Sequence, residues 1–193
     1  LLSESYKEAG FSTASFIAYG FVSTSFGFEQ GWDHYTNYIR ENRGTSAQLV
    51  FTEAAQWIES NKDKRFFAFI QTIEPHVPYD PPGEYLAMYA GDSGEAGAAA
   101  AYTGKVRPRD TPQLLVDAKA TPPRVVFDAA DKRRLKALYD GEVSSHDARF
   151  GEFVERLRQM GVLDDTLIVV TADHGEELED HGSWGHGHSV YQE

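Results

Sequence analysis

Residues 65–73 read RFFAFIQTI, a near-continuous apolar run. Such a short run does not alternate with polar residues as a half-exposed strand would. It predicts a strand covered on both faces, the pattern of a parallel sheet with helices packed over it. The flanks agree. Ahead of it, Ala47, Val50, Phe51, Ala54, Trp57 and Ile58 repeat at helical spacing, and Thr45 with Gln48 forms a capping-box pattern. Behind it, prolines at 75, 78, 81 and 82 stop the strand and hold the chain extended.

Two more segments share this strand character. FSTASFIAY at 11–19 lies between Gly10 and Gly20, and TLIVVTA at 166–172 reads as a third buried strand. Between them a long helix is predicted from Asp128 to Met160, with an apolar stripe that includes Leu135, Leu138, Val143, Phe153 and Leu157. Gly141 and Gly151 interrupt it, which predicts a break or a close packing contact, and Gly161 ends it. This order makes two strand–helix–strand units. The fold class is therefore α/β, a mostly parallel sheet with helices on both faces. Residues 20–44, rich in glycine and aromatics, read as a long irregular connection. Residues 90–127 show no stable period and read as a surface insertion in one partial domain covering 1–193.

The chain of 193 residues carries a net charge of −12 and no cysteine. A general basic footprint for nucleic acid is missing, which argues against DNA or RNA as the main partner. No stretch of eighteen or more apolar residues is present, so nothing in the chain spans a membrane as a helix. The opening LLSESYKEAG has too few apolar residues for a signal peptide and reads as the tail of an amphipathic helix. With the closing HSVYQE, it reads as a piece of a longer protein.

In open α/β sheets ligands bind beyond the carboxyl ends of the strands. Two predicted strands lead there into chemically capable residues: Glu74-Pro75-His76 and Asp173-His174. Parallel strands would bring His76 and Asp173-His174 to one rim. A carboxylate oxygen and an imidazole nitrogen can take two positions on one divalent cation, and Gly175 lets the chain turn at once. Asp173 capping a following helix is the competing reading. Of the histidines further on, His181, His186 and His188 could be ligands or acid–base groups, with a solvated or supporting role preferred for His181 and His188. His146 lies on the helix stripe and reads as a packed core histidine, and His34 receives no role.

At these residues the sequence resembles the sulfatase family of the alkaline-phosphatase superfamily. The resemblance rests on LLSESYKEAGFSTASFIA, FGFEQGWDHY, RFFAFIQTIEPHVPYDPPGEY, the stretch DGEVSSHDARFGEFVERLRQMGVLDDTLIVVTADHGEELEDHG, and HGHSVYQE, in that order. P-H-x-P-Y followed by T-x-D-H-G is its specific core. It implies an alkaline-phosphatase-like fold, incomplete here. It also implies metal ligation by Asp173 and His174, and a catalytic contact of His76 with the oxygens of the transferred group. His186 stands where the family has His or Lys facing the leaving group. His188 does not match that motif, and Ala172 stands where Ser is common.

The resemblance further implies a divalent metal, Ca²⁺ ahead of Mg²⁺, Mn²⁺ and Zn²⁺, and a formylglycine nucleophile in a C-x-P-S-R-like segment. No such segment lies in this chain. It would precede Leu1, and a small carboxyl-terminal subdomain would follow Glu193. The expected substrate is a small-molecule or glycan sulfate ester, hydrolysed by the parent protein in a periplasmic or secreted setting. A phosphodiesterase, phosphonate hydrolase or phosphoethanolamine-type transferase of the same superfamily is the second reading. The third is that the 193-residue chain, lacking the nucleophile, is catalytically inert by itself.

Overall fold

A computed structural model of the chain describes residues 1–89 and 102–191. By internal contacts it divides into two compact units: residues 1–74 with 146–167, and residues 75–145 with 168–193.

The first unit is built on a three-stranded sheet. Helix α1 (Leu2–Glu8) leads into β1 (Ser12–Ile17), then β2 (His34–Asn37), helix α2 (Ala47–Asn61) and β3 (Phe66–Gln71). The sheet order is β2-β1-β3, and both pairings are parallel. The in-register partners Ser12↔Phe66 and Ala14↔Ala68 set the faces. Phe66 and Phe67 are neighbours on a strand, so they point to opposite faces. Trp57 of α2 meets Phe66 and Phe16 edge-on, whereas Tyr6 of α1 stacks on Phe67 at 4.3 Å. The two helices therefore lie on opposite faces, and the α/β class expected from the sequence is the one observed.

Several local expectations are corrected. Strand β2 lies inside the segment read as irregular. Strand β3 is half-exposed rather than covered, with Phe69 40% exposed. Helix α2 is capped by Ser46, which accepts the Leu49 N–H, and by Glu74, whose Oε1 accepts the Ala47 N–H at 2.9 Å. Thr45 plays no part in either bond, because a carboxylate just beyond β3 takes the first free donor of the helix. The predicted strand at 166–172 does not form. Leu167, Val169 and Val170 are 88%, 77% and 73% exposed, and no strand among the described residues pairs with them. A strand needs a partner for its backbone groups, and hydropathy alone supplies none.

The second unit holds helix α3 (Gly83–Met88), α4 (Thr111–Lys119) and the start of the long α5 (Ala129–Gln159), followed by the two-residue strands β4 (Glu177–Leu178) and β5 (Trp184–Gly185), paired antiparallel. Asp128 caps α5 by accepting the Ala130 and Asp131 N–H groups, and the buried Asp131 carboxylate accepts the Asp128 N–H in return. The core of this unit includes Tyr79, Val106, Leu115, Phe127, Leu138 and Trp184. Of the segment read as an aperiodic insertion, residues 90–101 lie outside the described residues. The rest contains α4 and gives Val106, Leu115 and Phe127 to the core, because its few apolar residues are spaced across a turn, a helix and a loop rather than on one period. Helix α5 runs unbroken through Gly141 and Gly151. Beyond Gly141 its buried face carries Glu142, which accepts the Asp80 N–H at 2.7 Å, while Val143 is 43% exposed.

Candidate active site

The second unit brings His76, His174 and His186 together. The His186 ring is the hub, with its centroid 4.5 Å from that of His174 and 5.1 Å from that of His76. The route differs from the one expected. No paired strand carries Asp173-His174 to a rim. Instead the short β4–β5 hairpin folds His186 back over the loop that precedes it. Gly182, Gly185 and Gly187 all take positive φ there, which lets so short a segment reverse.

Each of these rings is oriented through the same atom. His76 Nδ1 donates to the Val77 carbonyl at 2.8 Å, and His174 Nδ1 donates to the Gly175 carbonyl at 2.8 Å. His186 Nδ1 lies 2.6 Å from Glu176 Oε1. An acceptor on Nδ1 fixes the proton there and leaves Nε2 as the reactive nitrogen. All three histidines thus present Nε2. The difference is in the acceptor: two are peptide carbonyls, and the third is a carboxylate whose side chain is only 5% exposed.

Asp173 Oδ2 lies 3.9 Å from His174 Nε2. With bonds of about 2.0–2.6 Å, two donors on one cation stand less than about 5 Å apart, so the pair fits. No helix begins after Asp173; its Oδ1 accepts the His174 N–H at 3.1 Å instead of capping one. The two side chains are 72% and 46% exposed. Among the described residues, donor atoms of His174, Glu176 and His186 also lie within 4.8 Å of one another.

Glu176 and Lys119 are the parts that sequence reasoning missed. Glu176 Oε2 is buried without a hydrogen bond, and so is the Tyr79 hydroxyl nearby. Burial and then the Glu176 charge push the Tyr79 phenol far above its ordinary range. Lys119 Nζ donates to the His186 carbonyl at 3.0 Å. The signal for Glu176 was its place two residues after His174, inside an acidic run that masked it. For Lys119 there was none, since α4 lay in the segment read as surface.

The remaining histidines take structural positions. His188 is exposed but tied to the hairpin: its Nε2 lies 2.8 Å from Glu177 Oε2, and the Glu177 side chain is 1% exposed. His181 stacks on Tyr191 at 3.9 Å. In the first unit His146 packs against Phe51 and meets Thr72 Oγ1 at 2.8 Å, and His34 meets Thr36 Oγ1 at 3.1 Å. An open cavity of about 400 Å³ beside Asp80, Arg107 and Arg109 is lined by none of the histidines.

A family model described as Sulfatase matches residues 1–193. The arylsulfatase of Clostridium perfringens is 25% identical over 161 residues, covering 83% of this chain and 30% of that protein. Among solved structures, BT4656 in complex with D-glucosamine-2-N,6-O-disulfate superposes with a TM-score of 0.64 at 18% identity, over 94% of this chain and 51% of the other. The phosphonate monoester hydrolase of Agrobacterium radiobacter gives a TM-score of 0.64 at 17% identity, over 98% of this chain and 50% of the other. The chain thus spans under a third of that arylsulfatase and about half of each solved chain.

Proposed function

The chain belongs to the sulfatase family, and on that premise we propose that it is the part of a sulfate-ester hydrolase that carries one wall of the active site. The observation that supports this most is the shared presentation of Nε2 by His76, His174 and His186 around one ring hub. A sulfate ester is anionic and repels a nucleophile. A divalent cation held by Asp173 and His174, with further ligands from outside residues 1–193, would screen that charge and orient the nucleophile. His76, as the imidazolium with Nδ1–H held by the Val77 carbonyl, donates from Nε2–H to an oxygen of the transferred group and stabilises the charge that grows on it. His186, as the imidazolium with Nδ1–H held by Glu176, delivers its Nε2 proton to the departing oxygen and is left neutral, a role worth ~10²–10⁴-fold. The nucleophile is a formylglycine supplied outside this chain, so the 193 residues alone turn nothing over. The substrate is a small-molecule or glycan ester.

A second reading, transfer of a phosphoryl or phosphonyl group, is favoured by the fold shared with the phosphonate monoester hydrolase. The full-length protein decides between them by its kcat/KM for 4-nitrophenyl sulfate against 4-nitrophenyl phenylphosphonate. A preference for the sulfate is expected. A preference for the phosphonate would replace the first reading with the second.

A further inference from the structure

Glu176 separates His186 from the other two site histidines. The carbonyl acceptors of His76 and His174 belong to the very next residue in each case, so those rings are oriented locally. His186 has no such neighbour. Its Nδ1 reaches back ten residues to a carboxylate that is almost completely buried. Burying a carboxylate costs free energy unless partners compensate it. Here Oε1 meets the imidazole, while Oε2 makes no hydrogen bond. The Tyr79 phenol is within electrostatic reach of this carboxylate, and the hydrogen bond of Oε1 goes to the proposed acid.

The backbone of His186 is held independently. Lys119 Nζ, from α4, donates to its carbonyl. Gly185, just before it, has φ +76°, and a Cβ there would lie 3.6 Å from Glu176 Oε2, Leu115 Cδ1 and Lys119 Nζ alike. Carboxylate, ammonium and glycine therefore converge on one point of the loop.

We propose that Glu176 is the positioning residue of His186: its carboxylate fixes the Nδ1–H tautomer and the ring rotamer, and Lys119 fixes the backbone from which the ring projects. This rests on the assignment of His186 as the acid toward the leaving oxygen. With one proton held on Nδ1 by the carboxylate, the imidazolium gives its second proton to the leaving oxygen from Nε2 and is left as the neutral Nδ1–H tautomer. Glu176 touches no reacting atom and acts through His186 alone.

The test uses the full-length protein with Glu176→Ala, Glu176→Gln and Lys119→Met, aryl sulfates of graded leaving-group pKa, and ¹⁵N-edited NMR of the histidine rings. Glu176→Ala is expected to lower kcat by ~10–100-fold for poor leaving groups, the loss typical of an outer hydrogen-bond partner. Good leaving groups should be affected far less, KM little, and metal content not at all. Glu176→Gln, whose amide oxygen still accepts from Nδ1–H, should restore most of the rate. Lys119→Met should give a smaller loss with the same leaving-group dependence. In the spectra, the neutral form of His186 is expected as the Nδ1–H tautomer in the wild type and in Glu176→Gln, and as a mixture in Glu176→Ala. An unchanged tautomer in Glu176→Ala overturns the proposal, as does an equal loss for every leaving group. If His186→Ala itself shows no leaving-group dependence, the acid assignment fails, and the tautomer measurement still decides what Glu176 does.

Discussion

Glu177 Oε2 and His188 Nε2 meet at 2.8 Å, and the other oxygen of the same carboxylate accepts the N–H groups of His181 and Ser183 at 2.9 and 2.7 Å. A single buried anion thus ties both ends of the β4–β5 hairpin. Burial works to raise its pKa. The bonds from Ser183, His188 and His181 outweigh that and hold it below the usual carboxylate value. Glu177→Ala would remove the acceptor of three part-buried hydrogen bonds, each worth ~0.5–1.5 kcal/mol. A loss of about 2–5 kcal/mol in urea unfolding is expected, with Glu177→Gln milder. Because the folded-state pKa is depressed, this stabilisation is present above the ordinary Glu pKa and disappears as pH falls through the folded value. A Glu177→Ala chain as stable as the wild type at pH 7 would mean the hairpin does not depend on this anion.

His186→Ala in the full-length protein should slow turnover by ~10²–10⁴-fold for poor leaving groups, with little effect on the best ones. A plot of log kcat against leaving-group pKa should therefore steepen. Parallel lines for variant and wild type would remove His186 from the acid role.

Asp173→Ala and His174→Ala should each weaken metal binding by more than the ~10–100-fold that follows loss of an outer partner. The basis is the 3.9 Å separation of Asp173 Oδ2 and His174 Nε2. Elemental analysis of the purified variants reads this directly. Wild-type metal content in both would sink the ligand assignment, whatever the activity.

Much of this was legible in residue patterns. The helices at 47–61 and near 129–159 announced themselves by period, and β1 and β3 by apolar runs bounded by glycine, charge or proline. Strand β2 was hidden because His34-Tyr35-Thr36-Asn37 carries no apolar signal; it exists by pairing with β1. Residues 166–172 show the opposite failure, a strong strand pattern that no strand among the described residues pairs with. At the candidate site, His76, Asp173, His174 and His186 stood out by residue type and motif. Glu176 and Lys119 did not, since their importance comes from burial and from a contact between segments far apart in the chain, which spacing does not encode.

His146 gives a pH signature in the first unit. Burial lowers its pKa, partly offset by the charges of Glu74 and Asp147. A histidine with a depressed folded-state pKa binds fewer protons in the folded chain than in the unfolded one. Stability is therefore undiminished above the unfolded value of about 6.5 and falls as pH drops below it. Urea midpoints between pH 8 and pH 5 should decline in the wild type and decline less in His146→Gln, which can still bond Thr72. Equal slopes would show that another group governs the acid limb.

The two glycines inside α5 should respond oppositely to the same substitution. Both lie in a helix interior, where Gly costs roughly 1 kcal/mol relative to Ala. At Gly151 a Cβ would meet nothing within 4 Å, so Gly151→Ala should stabilise by about that amount. At Gly141 a Cβ would come within 2.9 Å of Pro81 Cγ and 3.1 Å of Pro81 Cβ. Pro81 is a rigid ring in a proline-rich turn and has no rotamer into which to retreat. Overpacking of this kind costs ~1–3 kcal/mol, enough to cancel or exceed the propensity gain, so Gly141→Ala should be neutral at best and more often destabilising. Thermal unfolding of the two variants side by side reads the difference. The contact also fixes the segment that begins at His76: Pro81 sits five residues on, and Asp80 is bound to Glu142, the next residue of the helix. Gly141→Ala should therefore disturb the ring signals of His76 in NMR while Gly151→Ala leaves them in place. Stabilisation by both variants would show that Pro81 yields, and that α5 does not press on the segment carrying His76.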